Sequence, residues 1–153
     1  MKYLLLLFVS LMIVNAQSLF AQEQITDEEL KKYVVAMDSI NDMKASLLEE
    51  IGEMVKANEG LTNARYNELS KIMNDEAKLA AAKATPEEIA FMKQVAAKKS
   101  EGTAEITQTF QLLAKEYVGA ASFNKIKKAL TTDPELKSKY QSMLDELEKS
   151  EVN

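Results

Sequence analysis

The chain has 153 residues, with 19 basic and 24 acidic side chains giving a net charge of −5, and it contains no cysteine, histidine or tryptophan. Without imidazole or thiol there is no Ser-His-Asp or Cys-His nucleophile, no thiolate or imidazole zinc site and no Glu-x-x-His di-iron pair. The acidic balance argues against nucleic acid as a partner, because that affinity comes largely from neutralising phosphates.

At the start of the chain, Lys2 precedes an apolar run from Tyr3 to Val14 that only Ser10 interrupts, and small residues follow at Ala16 and Ala21. A positive residue, an apolar stretch and small residues in that order form a secretory signal peptide, residues 1–21. Crossing the hydrocarbon takes about 20 apolar residues, more than this run supplies. Cleavage after Ala21 leaves Gln22 as the first mature residue; cleavage after Ala16, with Val14 two residues before it, is the alternative. The expected product is a single helical domain, residues 22–153, periplasmic or secreted. It has no cysteine to carry a lipid and no transmembrane anchor after processing, and losing Lys2 makes it one unit more negative. Its length suffices for one core without disulfides.

Beyond the leader, apolar residues recur at helical spacing and no segment alternates as a strand would. Thr26-Asp27-Glu28-Glu29 is a capping box, in which the threonine hydroxyl accepts a first-turn N–H and the glutamate reaches back. The spacing predicts a helix from there to Asn58, about 48 Å long, with Gly60 as its stop. Its stripe has Tyr33, Ile40, Leu47 and Met54 seven apart, with Val34, Leu48 and Val55 beside them and Leu30, Met37 and Ile51 in a further row. A seven-residue repeat implies gentle left-handed winding against a neighbour. Asn41 and Lys44 interrupt the stripe halfway.

Fifty-nine residues on, the pattern begins again. Thr85-Pro86-Glu87-Glu88 is a second capping box, with proline where its missing N–H costs nothing. Leu30 maps to Ile89, Tyr33 to Met92, Leu47 to Ile106, Ile51 to Phe110 and Met54 to Leu113; this helix is expected to end near Val118, with Gly119 in the role of Gly60. Tyr66-Asn67-Glu68-Leu69 then matches Phe123-Asn124-Lys125-Ile126, and the acidic turns Asn74-Asp75-Glu76 and Thr132-Asp133-Pro134-Glu135 each open a further short helix. In the last helix Leu136, Tyr140, Met143, Leu144 and Leu147 share a face. The expected fold is all-α, an antiparallel helical bundle of two tandem repeats over residues 26–84 and 85–148, each a long helix followed by one or two short ones.

The segment from Ala97 to Thr103 breaks the second stripe. Lys99 stands where the first copy has Ile40, and Gly102 sits mid-helix at a cost of about 1 kcal/mol against alanine. It reads either as a frayed or kinked stretch projecting past the core or as a bend at a binding surface.

Thr26 to Tyr33, the central Ala64-Arg65-Tyr66-Asn67-Glu68-Leu69 and the late Asp133-Pro134-Glu135-Leu136 together resemble the bacterial domain of unknown function family numbered 4168. The resemblance covers nearly the whole mature chain and implies an exported, all-helical envelope or secreted protein. It brings no catalytic or binding residue with it. One departure from the family's pattern is Glu76, where proline is expected after Asp75.

No candidate chemistry is strong. Glu49, Glu50 and Glu53 offer too few oxygens along a straight helix for calcium. Lys115, Glu116 and Tyr117 are chain neighbours pointing different ways. Lys98-Lys99 and Lys127-Lys128 read as solvated faces. Asn67 and Asn124, each beside an aromatic, are expected to bond backbone near the turns, and the methionines to fill gaps, with Met43 off the stripe. Catalytic, cofactor and metal residues are therefore all expected to be none. The expected role is a non-catalytic module binding an unknown envelope or secreted protein, with a second copy of the chain as one option. The alternative is a carrier of a small apolar ligand or lipid in a cavity lined by Tyr33, Met37, Phe110 and Leu113.

Overall fold

A computed structural model describes residues 24–151; the expected cleavage residues Ala21 and Gln22 lie outside the described residues. Among them are six α-helices and no strand: α1 (Asp27–Ala57), α2 (Asn63–Ile72), α3 (Glu76–Ala81), α4 (Pro86–Leu112), α5 (Ala120–Thr132) and α6 (Pro134–Glu151). The all-α class read from the sequence is the fold. None of the described helices is long and apolar enough to cross a membrane.

Local chemistry explains the helix starts. Both capping boxes form, with Thr26 and Thr85 hydroxyls accepting from the Glu29 and Glu88 amides and each glutamate accepting from its threonine's N–H. Asp75 caps α3 by accepting from the Lys78 N–H, although Glu76 stands where proline was expected. Asp133 accepts from the amides of Glu135 and Leu136.

The ends differ from expectation in two places. Asn58 terminates α1 as its C-cap and its side chain accepts from the Gly60 N–H, so no left-handed glycine is needed there. After Leu112 the second long helix widens into a π segment, Leu113–Tyr117, where the Val118 N–H reaches the Leu113 carbonyl five residues back. Val118 is buried there, and Gly119 makes the turn into α5 at a φ of +87°.

Helices α1 and α4 run antiparallel, since Glu50 lies opposite Lys98 while Leu47 lies opposite Gly102. Each end of this pair holds a core. At one end Leu30, Tyr33, Val34 and Ala36 of α1 pack with Val118, and with Phe123 and Ile126 of α5, and the apolar face of α6 closes over them. Phe123 sits 5.0 Å from the Tyr33 ring and 5.4 Å, edge-on, from that of Phe110. At the other end Met92 of α4 packs with Leu61, Leu69 of α2 and Leu79 of α3, flanked by Tyr66, Ile72 and Phe91. Leu30, Leu69 and Ile126 are at most 1% exposed, and burying each contributes about 2–3 kcal/mol. Among the described residues, α1 and α4 alone span the stretch between the two cores, which forms a waist.

Candidate interaction surface at the waist

The waist begins at a close approach. A Cβ placed on Gly102 would stand 2.5 Å from Leu47 Cδ1 and 3.2 Å from its Cγ. The glycine read as a fray or a bend is thus the floor on which Leu47 rests, and α4 continues through it as a regular helix.

On α1, the row Val34, Asn41, Leu48 and Val55 advances by seven, so all four share a face. Val34 is 1% exposed and Val55 5%, yet Leu48 between them is 70% exposed. This corrects the expectation that Leu48 belongs to the buried stripe. Leu47, Ile51 and Met54, also expected in that stripe, are half-buried.

Helical spacing then sorts the charged residues by side. Each residue turns the chain by about 100°, so Glu50 and Met43 fall on one side of Leu47 and Lys44 and Leu48 on the other. Lys98 pairs with Glu50, so Lys99, the next residue around α4, lies on the Leu48 side. The Glu50 side is a groove of about 360 Å³ with Met43, Leu47, Gly102 and Ile106 along it and Asp42, Glu50, Lys98 and Glu105 at its rim. That rim is acidic, and Lys98 is already engaged. The Leu48 side carries Lys44 and Lys99, both exposed and without an ion pair among the described residues.

Two polar clamps hold the ends of the waist. Glu29, the capping-box residue of α1, accepts from Ser122 Oγ and from Lys125 Nζ (3.2 Å), both on α5. Glu88, its counterpart on α4, takes a two-pronged contact from Arg65 of α2: Nε to Oε1 at 2.7 Å and Nη2 to Oε2 at 2.9 Å. Arg65 also donates to the Ala82 carbonyl and pairs with Glu68. The Ser122 bond, the Thr26 backbone bond and Lys125 hold the Glu29 carboxyl at about 2. The Arg65 fork, followed by the Thr85 backbone bond, does the same for Glu88, also at about 2. In return, the Glu88 and Glu68 carboxylates push the Arg65 guanidinium above its ordinary value.

The other candidate residues do not assemble. Glu49 and Glu53 are exposed along α1, and among the described residues no group of three or more side chains could hold a metal ion. Lys115, Glu116 and Tyr117 lie exposed in the π segment, and Lys127 and Lys128 on the outer face of α5. Asn67 and Asn124 are exposed, and their side chains bond no backbone group among the described residues, contrary to expectation. Tyr33, Met37, Phe110 and Leu113, the expected cavity wall, instead belong to the first core around Phe123. Met43 lines the acidic groove, half-buried. The division of charge between the two sides was missed at the sequence level. The residues were visible, but the register of α1 on α4 that sorts them was not.

Comparison with family models, with characterised proteins and with solved structures finds no match to this chain.

Proposed function

We propose that this is an exported, non-catalytic interaction module that binds a segment of another envelope or secreted protein at its waist. The observation that carries the reading is Leu48, 70% exposed in a row whose two ends are buried. A single exposed leucine is ordinary. One left open midway along a row whose ends are buried, on the side of the helix pair away from the acidic groove, marks a face that lacks its cover. Export rests on the leader grammar of residues 1–21, and the tandem-repeat origin on the matched caps and on the order long, short, short in each half. Membership of the bacterial family that the sequence resembles belongs to the same proposal.

The ring packing about Phe123 favours this reading over the ligand carrier, because Tyr33 and Phe110 both meet the Phe123 ring and Met37 and Leu113 pack against the same core. A photo-crosslinking side chain at position 48, expressed in the source cell, tests it. We expect one stoichiometric protein adduct from position 48 and none from position 67 on the exposed face of α2. Lipid as the only adduct would support the carrier instead, and equal labelling from both positions would overturn the proposal.

A further inference from the structure

We infer that the Leu48 side of the waist receives an acidic amphipathic helix from a partner protein, seated over Leu48 between Lys44 and Lys99. The inference rests on the interaction reading and names the chemistry of its partner. Its first support is charge. Lys44 lies one turn before Leu48 on α1, and Lys99 follows the Glu50-bound Lys98 around α4, so two cations with no ion pair among the described residues flank one exposed apolar side chain. The opposite side of the same waist has an acidic rim. A partner that reads this side by charge is therefore anionic.

The second support is the helix already seated at the other end. Val34, two heptads before Leu48, lies in the core over which α6 lays Leu136, Tyr140, Met143, Leu144 and Leu147. Lys139 of α6 pairs there with Asp27. In the other half α3 follows α2 as α6 follows α5, but α3 stops after six residues where α6 runs for eighteen. Shifted by 59, the α1 positions Val34, Met37 and Asn41 become Lys93, Ala96 and Ser100 on α4, all exposed. Ala96, Lys99 and Ser100 line a hollow of about 670 Å³. The small side chains of Ala96 and Ser100 let a helix approach closely, since interaxial distance follows the size of the contacting residues. The face is built of helical ridges and offers no strand edge, so the cover that fits it is a helix.

The test is a binding titration by fluorescence anisotropy, using the full mature chain and a labelled 18-residue peptide. The peptide carries leucine, tyrosine, methionine, leucine and leucine at the spacing of Leu136 to Leu147, with glutamates flanking that face; a control has lysine for every glutamate. We expect the glutamate peptide to bind at least about tenfold more tightly than the lysine peptide at low salt, with the gap narrowing as salt shortens the Debye length. Leu48→Ala should weaken it about tenfold, as removal of a central anchor does. Lys44→Glu with Lys99→Glu should invert the peptide preference. These positions are exposed, and unchanged thermal melting confirms that each variant folds.

Absence of binding, absence of charge preference, or indifference to Leu48→Ala overturns the inference. So does concentration-dependent self-association that Leu48→Ala abolishes, which would seat a second copy there. If position 48 crosslinks a cellular protein while the acidic peptide fails to bind, the interaction module stands and the acidic helix falls. If neither occurs, both fall.

Discussion

Glu29 and Glu88 each do two jobs with one carboxylate: closing a capping box within their own helix and gripping a short helix from the other half of the chain. Both ionise at about 2 in the fold against an ordinary 4.5. A folded value below the unfolded one contributes stability that is complete above 4.5 and disappears as pH falls through 2. Thermal melting should therefore weaken steadily between about pH 5 and pH 2. Glu88→Gln should cost about 1–3 kcal/mol at neutral pH, as loss of charge-assisted bonds does, and should flatten that acid decline. A wild-type melting temperature constant from pH 5 to pH 2.5 would contradict the assignment. Half of each glutamate's role was legible in the sequence, because a capping box spans only four residues. The grip on Ser122, Lys125 and Arg65 was not, because it joins residues 93, 96 and 23 apart.

Helices obey the same division between local and distant causes. Starts were readable because threonine, aspartate and proline act within one turn of the backbone, whereas Asn58 rather than Gly60 ends α1 and a π segment closes the second long helix. The buried stripe was readable in its ends and misread at its centre. A heptad row states which residues share a face, but exposure depends on whether another helix arrives. The role of Gly102 was hidden for the same reason. Gly102→Ala gains about 1 kcal/mol of helix propensity and loses about 1–3 to overpacking against Leu47, so it should be neutral or mildly destabilising. In a Leu47→Ala background the same change should stabilise, and chemical denaturation of the four proteins would measure the coupling. Additive effects would mean that the two helices do not meet at this point. In the cores, Leu69→Ala and Ile126→Ala should each cost about 2–5 kcal/mol, as both side chains are fully buried.

At the scale of the molecule, each end is completed by the opposite half. The first core joins the start of α1 to α5 and α6, and the second joins the start of α4 to α2 and α3. Among the described residues the waist connects them with two helices, and it presents one acidic and one basic flank. Leu48→Ala should change unfolding free energy by less than about 0.5 kcal/mol, because the side chain touches little in the free protein. A large loss would show that this leucine serves the fold instead.

The crossing of halves also governs the order in which the chain can become stable. Glu29 waits for Lys125, and Asp27 for Lys139, a partner 112 residues downstream. Helix α1 can pair with α4 along its length, but the first core closes only once α5 and α6 are also in place. A polypeptide joined in this way completes that core through segments far apart in sequence, and loosening α6 would unfasten it from a distance.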